Sequence, residues 1–121
     1  MLSDGIRGAF DEAVAPGGCI NVKALAYALD LPLSTMAPAL GLTTRAIALD
    51  PTALKAQPRA AQLLMAMNEL ALHLTERRYA VSWLKTPNRT FGNQSAADWL
   101  KEGDLDGVCG HIGRLVVGQP D

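Results

Sequence analysis

Aromatic residues are scarce in this sequence. Phe, Trp and Tyr together make up 5% of 121 residues, so any core must be assembled mostly from Ala and Leu, which points to helices. Cysteine is scarce too: Cys19 and Cys109 lie far apart and neither belongs to a CxxC-type pair, so two reduced thiols is the plain reading and no disulfide framework is implied. No apolar run approaches the ~20 residues that a membrane-spanning helix needs. Met1-Leu2-Ser3-Asp4 supplies neither the basic flank nor the apolar core of a secretory signal, and a cytoplasmic protein is expected. HExxH, GxSxG, a Gly-rich phosphate loop after a strand and Cys/His metal clusters are all missing, and the carboxylates are scattered. His73 has only Glu76 at metal-ligand spacing, which favours a packed or exposed histidine over a ligand. No catalytic residues, cofactor or metal are therefore expected, and a binding protein is a better reading than an enzyme.

What is present suits one small domain. At 49% hydrophobic and 19% charged, the composition is that of a globular chain and not a disordered one. The formal net charge of -1 conceals a gradient: residues 1–42 carry -2, residues 43–90 carry +4 and residues 91–121 carry -3. A basic middle suits nucleic acid or an acidic partner, and equally a solvated helix face.

Read in order, the spacing predicts an all-α fold. Ser3 or Asp4 caps a first helix with Ile6, Ala9, Phe10, Ala13 and Val14 on one face, ended by Pro16-Gly17-Gly18. Asn21 caps Val22 to Leu29, with Pro32 as the stop. Ser34 caps a short helix to Leu40, Gly41 takes the left-handed end position, and Thr43 or Thr44 caps a piece running to Leu49. This is a helix-turn-helix cadence, in which Thr44–Leu49 stands as the recognition helix and offers only Thr44 and Arg45 to DNA. A register eleven residues earlier is the alternative, but it lacks a turn glycine and puts Pro38 inside the recognition helix. From Arg59 to about Thr75, the residues Ala60, Leu63, Leu64, Met67, Leu70, Ala71 and Leu74 repeat at helical spacing and mark the central core helix. The helix after it stops before Pro87. Ser95 with Asp98 approximates a capping box for Ala96–Leu100. A last helix, Leu105 to Leu115, carries Gly107, Gly110 and Gly113, whose spacing leaves a smooth face for another backbone. Two regions result, a degenerate helix-turn-helix front over 1–58 and a central helix with a helical back over 59–121.

Between those last helices lies Trp83-Leu84-Lys85-Thr86-Pro87-Asn88-Arg89-Thr90-Phe91-Gly92: a helix end, a proline stop, a polar turn and an aromatic plug. With Asp98-Trp99-Leu100 and Arg114-Leu115-Val116-Val117-Gly118 following in order, this stretch resembles the toxin-binding domain of Xre/MbcA/ParS-type antitoxins. The resemblance covers residues 59–118 well and 20–58, where the family carries an Xre-like helix-turn-helix, more loosely. Ala96 departs from the proline common there in the family. The resemblance implies a type II toxin–antitoxin pair whose toxin is a RES-domain enzyme that consumes NAD or transfers its ADP-ribose. The antitoxin's C-terminal segment is then placed at the toxin's NAD cleft. It also implies toxin contacts among Trp83, Asn88, Arg89, Phe91, Trp99, Arg114, Gly118, Gln119, Pro120 and Asp121, with the three large aromatics serving first as core. A homodimer, formed through the long helix or the glycine face, is expected by the same analogy. The competing reading is a DNA-binding repressor of its own promoter, using Thr44 and Arg45.

Overall fold

The computed structural model describes residues 8–118. Among them the architecture is all-helical: α1 (Val22–Ala28), α2 (Leu33–Leu40), α3 (Thr44–Leu49), α4 (Gln57–His73), α5 (Arg77–Lys85), α6 (Ala96–Lys101) and α7 (Leu105–Val116), with 3-10 turns at Asp11–Ala13, Leu54–Ala56 and Arg89–Phe91. The long helix α4 is the axis. It buries Ala60, Leu63, Leu64, Ala66, Met67, Leu70 and Ala71, the stripe expected from the 3.6-residue period. Pro58 lies inside its first turn, where the missing N–H has no helical partner to lose. Helices α5 and α7 pack on α4, and α6 sits between α5, α7 and α2.

The front helices follow their caps. Asn21 accepts from the Ala24 N–H at 3.0 Å, and Thr43 accepts from the Ala46 N–H at 3.0 Å. Gly41 closes α2 at φ 71°, in the left-handed region where a Cβ is penalised. Ser34 does not cap α2. The helix starts two residues earlier than a Ser34 cap would allow, because Pro32 holds an extended backbone and its carbonyl accepts from the Thr35 and Met36 N–H groups; Ser34 is left on the exposed face.

The expected first helix is also different. Ser3, Asp4 and Ile6 lie outside the described residues, and the remainder of that stripe forms only the 3-10 turn, followed by a bridge between Val14 and Ile20. Phe10 and Ala13 are nonetheless fully buried. The segment's hydrogen bonds go to α4 instead of along a helix of its own. Asn68 accepts from the Phe10 N–H at 2.9 Å and donates to Asp11 at 2.9 Å, while Gln57 accepts from the Ile20 N–H at 2.6 Å and donates to its carbonyl at 3.0 Å. Arg77 lies 4.9 Å over the Phe10 ring and grips Glu12 with both guanidinium nitrogens.

One core cluster runs through both regions, from Phe10, Leu25 and Met36 to Phe91, Leu100 and Ile112. Besides the Asn68 and Arg77 bonds, two further polar contacts reinforce that junction: Arg59 Nε donates to the Ala39 carbonyl at 2.8 Å, and Lys85 pairs with Asp30.

Candidate functional site

Helix α5 ends where Pro87 forces it to, with Thr86 donating its hydroxyl to the Ser82 carbonyl at 2.8 Å. The chain then closes a compact corner. The Asn88 side chain accepts from the Thr90 N–H at 2.9 Å and its backbone N–H donates to the Gln94 carbonyl at 3.0 Å. Its own carbonyl accepts from the Phe91 N–H at 3.0 Å and the Asn93 N–H at 2.9 Å. Asn88 itself is extended; the left-handed conformations fall on Gly92 (φ 65°) and Asn93 (φ 67°), which reverse the chain. Ser95 then begins α6 with a complete capping box. Its hydroxyl accepts from the Asp98 N–H at 3.1 Å, and the Asp98 carboxylate accepts from the Ser95 N–H at 3.0 Å. The Ser95 N–H first, and the Ser95 hydroxyl beside it, hold the Asp98 carboxyl below its ordinary pKa of 3.8.

Under the corner lies an aromatic root with one ring from each of four elements. Phe91, 2% exposed, meets Trp99 of α6 edge-on at 4.6 Å, His111 of α7 at 5.0 Å and Trp83 of α5 at 6.0 Å. His111 in turn stacks on Trp83 at 5.8 Å with an interplanar angle of 12°. Offset-stacked and T-shaped pairs are the arrangements the ring quadrupoles favour. In a chain with so few aromatic residues, three of the six gather at this point. Trp83 and Trp99 are half-buried and Phe91 is buried, so all three serve first as core, as expected.

The surface above that root is polar. Arg89, Thr90, Gly92, Asn93 and Gln94 are exposed, while Asn88 is half-buried in its capping role. Arg114 is exposed on α7, and Gly118 (φ 77°) turns the chain just after the helix. Gln119, Pro120 and Asp121 lie outside the described residues. Thr44 and Arg45 are both exposed on α3, which packs on α1 and α2 and buries only Ile47. The structure therefore brings Trp83, Asn88, Phe91 and Trp99 together at the corner, and places Thr44 and Arg45 on a separate helix of the front. Of the three glycines on α7, Gly107 has a local reason: a Cβ there would lie 2.4 Å from the carboxylate of its N-cap Asp104. A Cβ at Gly110 would make an ordinary contact with Arg114 Nη1 at 3.7 Å, and one at Gly113 would meet nothing within 4 Å.

The residue that sequence reasoning passed over is His111. It is 1% exposed, yet in the sequence it is one polar position at the edge of an apolar stripe, with no partner at motif spacing. Cys109, two residues before it, is an inert thiol. Burial, and after it the Asp106 carboxylate, pushes its pKa up to about 11. No group of three or more His, Cys, Asp or Glu side chains that could hold a metal occurs among the described residues. A shallow depression of about 510 Å³, lined by Glu76, Arg77, Arg78 and Val81, lies at the first turn of α5, the opposite end of that helix from the corner.

Residues 70–116, which run from the end of α4 through the corner to the end of α7, match the family model of the antitoxin Xre/MbcA/ParS C-terminal toxin-binding domain. Over that segment the chain is similar to a toxin-binding domain of antitoxins. No curated protein and no solved structure matches it. The corner and all four rings of its root fall within the matched residues, as does Arg114, whereas Gly118 and the whole front fall outside them. No helix among the described residues is long and apolar enough to cross a membrane.

Proposed function

We propose that this protein is the antitoxin of a type II toxin–antitoxin pair, and that it neutralises a RES-domain toxin, an enzyme that consumes NAD or transfers its ADP-ribose, by binding it directly. The observation that carries this reading is the corner inside the matched residues, an exposed polar tip that includes Arg89 on a four-ring root centred on the buried Phe91 and His111. A surface that must meet a partner in one geometry gains from being ordered beforehand, since less conformational freedom is lost on association. In this reading Trp83, Phe91 and Trp99 are frame, Asn88 shapes the tip, and Arg89, Arg114, Gly118 and the terminal Gln119-Pro120-Asp121 meet the toxin. The protein needs no cofactor, performs no catalysis of its own, and works in the cytoplasm as a homodimer.

Charge supports a block at the NAD cleft. Such a cleft supplies positive groups for a pyrophosphate, and residues 91–121 carry a net -3. Asp98, Glu102, Asp104 and Asp106 are all exposed. The acidic C-terminal segment then competes with the dinucleotide for the same electrostatic field. Removing residues 117–121 tests this without cutting α7, whose Leu115 and Val116 pack against the core. Toxin NAD consumption should recover while binding persists; inhibition that is undiminished would sink the cleft model.

A second activity fits the front. Helices α2 and α3, joined by Gly41, Leu42 and the Thr43 cap, keep the helix-turn-helix order, and Thr44 and Arg45 project at the start of α3. In this reading the 1–58 region contacts promoter DNA and the 59–121 region the toxin, a division of labour across a shared core. Binding to upstream DNA should weaken steeply with added salt. Arg45→Ala should abolish the gel shift and leave toxin neutralisation intact; a shift that survives the substitution takes α3 out of the contact.

A further inference from the structure

Resting on the reading of the corner as the toxin-docking surface, we propose that His111 is its positioning residue: the imidazole, flat on Trp83 and edge-on to Phe91, fixes the angle at which the corner is held against helix α7. Helix α7 faces the core through Leu105, Val108 and Ile112, and it packs chiefly on α4 and α6. His111 stands at the edge of that stripe and turns to the corner instead, meeting one ring from α5 and one from the corner itself.

The choice of side chain is informative. A buried imidazole loses hydration that a leucine never had. Leucine would fill a similar space at this helix position, but it offers no flat face to Trp83 and no edge to Phe91. Histidine offers Phe91 a planar wall against which that ring takes one orientation. Arg89 and Phe91 share one 3-10 turn, so the seating of that ring holds the backbone from which the exposed Arg89 side chain leaves. On the other side, Arg114 follows His111 by three residues and shares its side of α7. The His111 ring thus sits between the two elements that carry the exposed arginines, and it sets the span a partner has to match.

The test uses the full chain with His111→Leu and His111→Phe. The first readout is amide hydrogen exchange at Phe91, Gly92 and Asn93, whose N–H groups close the corner. The second is calorimetric affinity for a purified RES-domain toxin. His111→Leu should leave α4 protection unchanged, speed corner exchange about ten-fold and weaken toxin binding about ten-fold, the loss of one oriented ring contact. His111→Phe, which keeps a planar ring, should restore most of both. If His111→Leu does not fold, His111→Gln against His111→Phe provides the same contrast between a ring and no ring. Corner exchange and affinity that stay at wild-type values in the ringless variant overturn the proposal. So does a uniform loss of protection in corner and α4 alike, which marks a merely structural role. If the wild-type chain fails to bind the toxin, the docking reading falls, and corner exchange alone still decides the part played by His111.

Discussion

Helices α3 and α6 are each six residues long, each follows a left-handed glycine (Gly41 at φ 71°, Gly92 at φ 65°), and each begins on a hydroxyl that accepts a backbone N–H, Thr43 or Ser95. Their local chemistry is nearly the same. Their surroundings are not. Helix α3 buries Ile47 and leaves Leu49 74% exposed, on the rim of the front. Helix α6 buries Ala96 and Leu100, half-buries Trp99 beside Phe91, and touches α2, α5 and α7. A six-residue helix is too short to persist by its own hydrogen bonds. What separates the two is packing, and the packed one adjoins the corner proposed to dock a toxin.

The largest effect expected from that contrast is in the core. Phe91→Ala should lower the unfolding free energy by about 3–5 kcal/mol, because three rings lose their common neighbour. Ile47→Ala should cost about 2 kcal/mol, the low end for such a truncation, since the rim of α3 can settle into the gap. Urea denaturation of both variants measures the difference, and equal losses would mean that the rim of the front is packed as firmly as the corner.

Smaller, and more local, are the caps. Ser95→Ala removes one bond of a reciprocal box at a residue 6% exposed and should cost about 1–2 kcal/mol. Thr43→Ala removes a single exposed bond and should cost about 0.5–1 kcal/mol. Thermal unfolding ranks them; a costlier Thr43 would show that α3 is anchored by its cap more than α6 is by its neighbours.

Much of this was written locally. Asn21, Thr43 and the Ser95–Asp98 pair cap the helices that the sequence assigns to them, and the α4 stripe is the one its spacing predicts, because caps and stripes depend on residues three or four apart. Ser34 fails locally, displaced as cap by Pro32 two residues before it, and the other failures are long-range. Phe10 belongs to a 3-10 turn because an amide 58 positions away takes its N–H, and Gln57 clasps Ile20 across 37 positions. Phe91 as an aromatic plug was legible from Pro87 and Gly92, whereas its wall at His111 was not, since nothing in a one-dimensional pattern tells a buried imidazole from a solvated one. The division into a front and a back followed charge and motif. The shared core could not be read from either.

The smallest expected effect is a titration. The bonds from the Ser95 N–H and hydroxyl depress the Asp98 pKa below 3.8, so the carboxylate supports the fold above that pH and withdraws support as the pH falls through the depressed value. Helix α3 has Ala46 at the corresponding position and no such dependence. Glu12, depressed below 4.5 mainly by its Arg77 hydrogen bond, acts with the same sign. Asp98→Asn should shallow the acid limb of the stability curve, with Glu12→Gln removing a further share. An Asp98 carboxyl that titrates by NMR at its ordinary value would contradict the box.

The packing of α2 on α6 has a practical side. Gly103, at the end of α6, comes so near α2 that a Cβ there would lie 3.5 Å from the Pro38 carbonyl. Anyone excising residues 70–116 as a minimal inhibitor would strip α6 of that cover and α5 of its tie to Asp30. The borders of a recognisable sequence family and the borders of a piece that folds in a test tube are different lines here. The useful reagent is the one that keeps the front attached, even where the front never meets the toxin.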